Sequence, residues 1–581
     1  MPDTDSPYAL TRRFVPADTD PTDWAQVRPL LDALLARELD RGDAVVRYMD
    51  DWAELMAVVW ERGTRVNIAK AADAESPKAD AAYTHWVKDI QPRLAPIDDQ
   101  LRKKLLASGY LDALPSERFG PLLRNWKAAA DLFREASVPL FTELSTLATD
   151  YDKLVGAIEV ELDGQRYTPP QLARFYESTD RSLRERAWAG EADQRLAVRG
   201  EIDAIFTRQV ALRQQVAANA GKADFLDWVW QDKYRFDYSR ADCADFAETI
   251  ERVCVPRVRA LNEQRCKDMG LDSLRPWDTM VDPRGRPGLE PFASDDAQGL
   301  VDGCQSIFER VGGGLADDFA QMKMGRNLDL VSRRGKRAGG FQASLREVRE
   351  PFIFMNTAGR QADVVVMLHE VGHALHYMWN SRSDPCGFVH GAPIEFCEVA
   401  SMGLELIGMP EVGVFYVGDE AASRRARREH LEKIIRFFPW MATVDRFQFW
   451  LYENPDHTTE QRDAAWLQLM DRFGSRSGGV GVDWSGIEDQ LACYWHRQIH
   501  FFHHPLYYVE YGIAQLGALQ LWLNYREDPK QALADYRHAL SLGNRRTLPE
   551  LFEAAGLKLD FSASILEPLI GAVEQEHTRL S

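Results

Sequence analysis

Within the run Leu368-His369-Glu370-Val371-Gly372-His373-Ala374-Leu375-His376, two histidines stand four residues apart and a glutamate directly follows the first. On a helix, residues four apart lie one turn above each other, so His369 and His373 can turn imidazole nitrogens toward one metal ion while Glu370 flanks it. Zinc in that position lowers the pKa of its bound water toward neutrality, and an adjacent carboxylate can take the proton as the water attacks a carbonyl. The chemistry implied is hydrolysis of amide bonds.

That arrangement needs a helix and a third protein ligand. Val364, Leu368, Val371 and Leu375 recur at helical spacing, an apolar stripe that predicts a packed helix with its histidine face turned elsewhere. A catalytic tetrahedral zinc takes three protein ligands and a water. The segment Ile394-Glu395-Phe396-Cys397-Glu398-Val399-Ala400-Ser401-Met402-Gly403-Leu404-Glu405 offers three glutamates, and Glu398 lies 25 residues beyond His373, enough chain for a helix end, a loop and a second helix packed across the first. Spacing alone does not choose among Glu395, Glu398 and Glu405.

The phrase Glu398-Val399-Ala400-Ser401, following His369 to His376, resembles the signature of the oligoendopeptidase F branch of the thimet oligopeptidase family of zinc metallopeptidases. Gly339-Gly340-Phe341, Pro351-Phe352-Ile353-Phe354, Phe438-Pro439-Trp440-Met441-Ala442-Thr443-Val444-Asp445 and Asn454-Pro455-Asp456-His457 resemble family segments in the expected order, from roughly Tyr151 to the end. The resemblance implies that Glu398 is the third ligand beside His369 and His373, holding one Zn2+ per chain, and that Glu370 is the general base.

It also bears on His500-Phe501-Phe502-His503-His504-Pro505-Leu506-Tyr507-Tyr508-Val509-Glu510-Tyr511-Gly512. In the family a histidine, a short loop and a tyrosine-rich helix face the zinc and donate hydrogen bonds to the tetrahedral oxyanion. Carried over, these catalytic residues are His500, Tyr508 and Tyr511. A one-residue gap would exchange Tyr507 for Tyr508, since 507 and 511 share a helical face as 508 and 511 do. The loop departs from the family in carrying His503-His504. His376, His390, His503 and His504 are read as structural or supporting, and Asp363 and Glu405 either as capping or solvated groups or as partners for the second ring nitrogens of the histidines.

The elements that must position these residues are helical. Trp24, Val27, Leu30, Leu31, Leu34 and Leu35 keep helical spacing, Leu122 to Leu147 is a helical stretch interrupted at Pro139, and helical periodicity runs from about Gln171 to Gly270. Ile158, Val160 and Leu162 alternate before Asp163-Gly164, a type I′ turn signal, and Tyr167 follows on the return strand, which predicts one β-hairpin. Thr168-Pro169-Pro170 restarts a helix, and a proline-rich connection holds Pro276, Pro283, Pro287 and Pro291. Segments 337–343 and 351–356 read as short extended pieces of a small sheet just before the motif. The expected fold is mainly α, with an amino-terminal helical domain carrying the hairpin over 1–170 and a catalytic metallopeptidase domain over 171–581. The two extended segments place the small β-sheet beside the zinc helix, and the resemblance adds an elongated two-domain body with a deep substrate channel.

With 581 residues, 45% of them hydrophobic, the chain can bury a large core. The acidic start Met1-Pro2-Asp3-Thr4-Asp5-Ser6 has no apolar run after it, so a cytoplasmic location and no membrane partner are expected. A net charge of −19 without long single-sign blocks disfavours nucleic acid as a partner. Seven scattered cysteines without C-x-x-C spacing predict reduced core residues rather than a disulfide framework. The expected function is zinc-dependent endopeptidase action on short oligopeptides. The alternatives are a dipeptidyl carboxypeptidase on the same fold, which would need a subsite for the substrate's terminal carboxylate, or a catalytically silent peptide-binding scaffold.

Overall fold

The computed structural model describes residues 6–581 apart from 295, 326, 338 and 475–480, so Met1 to Asp5 and Ala338 of the first extended segment lie outside the described residues. Helices carry most of the chain, and two small β-sheets interrupt them, in keeping with the mainly α expectation. Contacts gather the chain into two compact units. The first comprises Met1–Phe133, Glu290–Ser423 and Gly517–Leu559, the second Arg134–Leu289, Arg424–Leu516 and Asp560–Ser581. A cut near residue 170 therefore coincides with no border of either unit. The end of the early helix Gly42–Ala72, at Ile68, Ala71 and Ala72, packs on Leu345 and Phe352 of the sheet that precedes the metal motif and on Val348 in the turn between those two strands.

In the first unit, Val45, Tyr48, Met49, Trp52, Leu55, Met56 and Val59 recur at helical spacing and are buried along one side of Gly42–Ala72. Each such side chain, once buried, contributes about 1.5–3 kcal/mol of burial free energy. Trp52 anchors this core, with ring centroids 4.8 Å from both Trp126 and Phe388. The short helix Trp24–Ala36 closes it with Val27, Leu31 and Leu34.

The sheet of this unit has three strands, with Glu350–Thr357 in the centre, Leu328–Val331 parallel on one side and Phe341–Leu345 antiparallel on the other. Sequence periodicity predicts Phe341–Leu345 and Glu350–Thr357 and misses Leu328–Val331. The central strand is buried nearly throughout, which suits its unbroken apolar run Phe352 to Met355. Register pairs Phe341 with Phe354, Ala343 with Phe352 and Leu345 with Glu350. After Thr357 the chain turns through Gly359, at φ 78°, straight into helix Gln361–Ser383. Asp363 closes this turn by accepting the backbone N–H groups of Ala358 at 2.8 Å and Arg360 at 3.0 Å, so of its two anticipated roles the capping one is realised.

The second unit is helical around the predicted hairpin, formed by Val160–Leu162 and Gln165–Tyr167. Asp163 and Gly164 have φ of 53° and 80°, the left-handed pair a type I′ turn requires. Thr168 then caps helix Pro169–Tyr176 through a capping box with Gln171. Pro139 does not interrupt a helix as expected. It occupies the first turn of Val138–Gly156, where its missing N–H needs no partner, and the break falls earlier, after Leu132. The proline-rich connection is pinned by Asp278, fully buried against Arg184 at 2.9 Å and Arg181 at 2.8 Å. All seven cysteines are free, five of them buried. Among the described residues no helix is long and apolar enough to cross a membrane.

Candidate metal centre

Helix Gln361–Ser383 buries Val364, Leu368, Val371 and Leu375 completely, which turns His369 and His373 to another face, as the spacing predicts. Their rings meet edge to face with centroids 4.8 Å apart, and the two Nε2 atoms are 3.2 Å apart. A second helix, Ile394–Gly408, crosses close by. Its Glu398 is buried and sets Oε2 3.4 Å from His369 Nε2 and 3.5 Å from His373 Nε2.

The approach of these helices depends on Gly372, which faces the backbone of Ala400 and Ser401 at a distance that leaves no room for a side chain. Tyr536 strengthens the crossing by donating its hydroxyl to the Ala400 carbonyl at 2.6 Å.

Among the described residues, His369, His373 and Glu398 form a group of ligand atoms within 4.8 Å of one another. Zinc bonds of about 2.0–2.2 Å imply donor separations of roughly 3.3–3.6 Å along the edges of a tetrahedron. The observed 3.2, 3.4 and 3.5 Å fit that ion, as does the donor set of two imidazole nitrogens and one carboxylate.

The surrounding groups orient the set. Glu405 Oε1 lies 2.7 Å from His369 Nδ1, behind the ring relative to Nε2, so it can fix the tautomer that leaves Nε2 with its lone pair. Ser401 donates its hydroxyl to Glu398 Oε2 at 3.0 Å. The geometry thus separates the glutamates that spacing left together: Glu398 joins the ligand atoms, Glu405 supports a histidine from behind, and Glu395 is buried on the same helix outside that group. Sequence reasoning weighed Glu405 and left it out of the site. Its offset of seven from Glu398, two helical turns on one face, is the signal that finds it.

Electrostatics differ across the site. Burial pulls His369 down, but the hydrogen bond and charge of Glu405, with Glu398 and Glu370, outweigh it and raise the pKa to about 9. Burial dominates at His373, lowered to about 4. Glu370 is raised to about 7, first by burial and then by Glu398 and Glu405, against the pull of His369 and the Gln342 backbone N–H. A carboxylate poised near neutrality suits a general base. His376 and His390 take structural positions, both lowered to about 4 chiefly by burial, and His390 Nε2 lies 2.6 Å from the Asp384 carbonyl oxygen.

The other predicted residues belong to the second unit. The His500 ring lies 5.8 Å from Tyr507, 5.0 Å from Tyr508 and 5.9 Å from Tyr511, between centroids. Gln498 approaches its Nδ1. Tyr508 is buried and its hydroxyl accepts the indole N–H of Trp440 at 3.1 Å, whereas Tyr507 and Tyr511 are partly exposed one turn apart. His503 Nε2 lies 2.9 Å from Asp152 Oδ1, a supporting contact of the kind expected for that loop.

A two-histidine, one-glutamate centre on crossed helices, with a buried carboxylate beside it, defines a metallopeptidase type of site. The profile of peptidase family M3 matches residues 174–290 and 315–569, and the chain belongs to this family. Peptidases of the family are metallopeptidases. The chain is similar to the oligoendopeptidase F homolog of Borreliella burgdorferi, with 21% identity over 245 residues, a match covering 41% of this chain and only 40% of that protein's length. Its fold is that of PZ peptidase A, solved with inhibitor 2, at a TM-score of 0.89 and 23% identity over 98% of this chain and 99% of that one. A putative oligoendopeptidase F solved at 3.1 Å aligns with a TM-score of 0.88 and 24% identity over the same shares, 98% and 99%. Another, from Bacillus anthracis str. Ames, gives 0.84 and 21%, again over 98% and 99%. These likenesses fall in the oligoendopeptidase F branch to which the motifs pointed.

Proposed function

We propose that this family M3 peptidase is a zinc-dependent endopeptidase that cuts internal bonds of short oligopeptides. The observation that carries the reading is the tetrahedral spacing of His369 Nε2, His373 Nε2 and Glu398 Oε2, with Glu370 buried beside His369 on the same helix. His369, His373 and Glu398 would hold zinc, which when bound would supply Lewis acidity to a water molecule and the scissile carbonyl. Glu370 accepts the proton of the attacking water and delivers it to the leaving amine. Glu405 and Ser401 keep His369 and Glu398 in their ligating orientations. By family resemblance, Tyr511 and His500, with Tyr508 or Tyr507, donate hydrogen bonds to the developing oxyanion.

The edge strand Phe341–Leu345 supports peptide as the substrate. It pairs with the central strand on one side, and the Gln342 backbone N–H acts on Glu370. A peptide added along its other side would pass its carbonyls beside the base. Mass-spectrometric mapping of cuts in end-blocked and unblocked peptides of graded length tests the reading. Internal cuts in blocked peptides are expected. Release of dipeptides from free carboxyl ends alone would identify a dipeptidyl carboxypeptidase, and no cleavage of any peptide would leave a binding scaffold.

A further inference from the structure

Beneath the tyrosines of the second unit lies a buried ionic group that the proposed chemistry does not use. Glu510, next to Tyr511 on helix Tyr508–Glu527, is fully buried. Its Oε1 is 2.8 Å from the guanidinium of Arg235 and 3.2 Å from the ammonium of Lys233. The Arg235 side chain is fully buried as well, and it also donates to the carbonyl oxygen of Leu506. The N–H of that same Leu506 is held by the side-chain carbonyl of Gln448. Leu506 has φ of 57°, a left-handed conformation that a leucine adopts only when its surroundings impose it. Lys233 stands 4.8 Å from the centre of the Tyr507 ring.

Both backbone groups of this left-handed residue are thus clamped, five residues ahead of Tyr511. Stability alone does not call for such an arrangement, because well-packed apolar residues in place of a buried ion pair are often as stable. Specifying one geometry does call for it. One guanidinium nitrogen of Arg235, Nη2, donates to both the Glu510 carboxylate and the Leu506 carbonyl, and the rigid planar group fixes the direction of both bonds, which a flexible ammonium does not.

We infer that Arg235, with Gln448, is a positioning residue for catalysis, fixing the Pro505–Tyr507 turn and through it the direction of the Tyr511 hydroxyl. The inference rests on the reading of Tyr511 as an oxyanion donor. Its test is a double-mutant cycle on the zinc-loaded enzyme, with metal content and melting temperature measured for every variant. Arg235→Lys keeps the charge but loses the planar group that aims both bonds, and Gln448→Met, of similar volume, removes the acceptor for Leu506, so the test stands if either variant folds. Each is expected to lower kcat by about tenfold with KM changed less than about threefold and zinc per chain unchanged, and to lower kcat less than about threefold further in a Tyr511→Phe background. Equal losses in both backgrounds, or kcat within about threefold of wild type for both variants, would overturn the positioning role while leaving Tyr511 in the mechanism. A silent Tyr511→Phe would overturn both.

Discussion

The Cβ that Gly372 lacks would stand 2.5 Å from the Cα of Ser401 and 2.6 Å from the carbonyl oxygen of Ala400. The carbon contact is about 1 Å inside the optimal separation of two carbons, and the obstacle is backbone, which cannot swing aside. Gly372 stands between Glu370 and His373, and Ser401 is three residues past Glu398, so this contact sets how closely the two ligand-bearing helices approach. Gly372→Ala should force them apart, destabilising the protein by about 1–3 kcal/mol as overpacking does and weakening metal binding at the same time. Thermal melts with and without added zinc would read the first effect, and zinc per chain after dialysis the second. A variant with wild-type melting temperature and full zinc would mean that the helices do not need the glycine.

Loss of any one ligand should leave too few donors. His369→Ala, His373→Ala and Glu398→Ala are each expected to lose zinc and peptide hydrolysis together, whereas Glu395→Ala should retain both. Elemental analysis after dialysis separates the cases. Full zinc and turnover in Glu398→Ala, with both lost in Glu395→Ala, would reverse the assignment of the third ligand.

Glu405 acts one shell further out, 2.7 Å from His369 Nδ1. Its replacement by alanine should cost about 10- to 100-fold in zinc affinity or activity, as loss of a histidine's supporting carboxylate usually does. Competition against a chelator of known affinity measures this directly. An unchanged zinc affinity and rate would reduce Glu405 to a packing residue.

Among the tyrosines, removing the Tyr511 hydroxyl should lower kcat by about 10² to 10³ with little change in KM, because the charge it meets exists only in the transition state. Matched Phe substitutions at Tyr507 and Tyr508 divide the remaining role. Tyr508 is buried with its hydroxyl on Trp440, so its substitution should register as lost stability, unless it also contributes a donor. A kcat for Tyr511→Phe within about threefold of wild type would return this helix to the core.

Much of this was legible in the chain, because periodicity and short-range chemistry are local. The stripe from Val364 to Leu375, the Asp163-Gly164 turn and the Thr168 cap are each written within a few residues, and each folds as read. What escaped depends on distant segments. Leu328–Val331 becomes a strand by pairing with Glu350–Thr357, and the alternation Leu328-Asp329-Leu330 is too short to announce that. The same holds for the packing of Ile68 to Ala72 on the sheet, which places the earliest helices in one compact unit with the motif. Spacing does not separate Glu398 from Glu405, since both point to the same face; the structure does, because Glu398 approaches Nε2 of both His369 and His373 whereas Glu405 meets Nδ1 of His369.

The central claim is that Glu370 handles the proton of a metal-activated water, and Glu370→Gln tests it most directly. The amide matches the carboxylate in shape but cannot accept that proton. Steady-state hydrolysis of a blocked oligopeptide, measured on protein whose zinc content is known, should show nearly complete loss of kcat with one zinc retained per chain and peptide binding preserved by calorimetry. Undiminished turnover by the zinc-loaded Glu370→Gln protein would contradict the account.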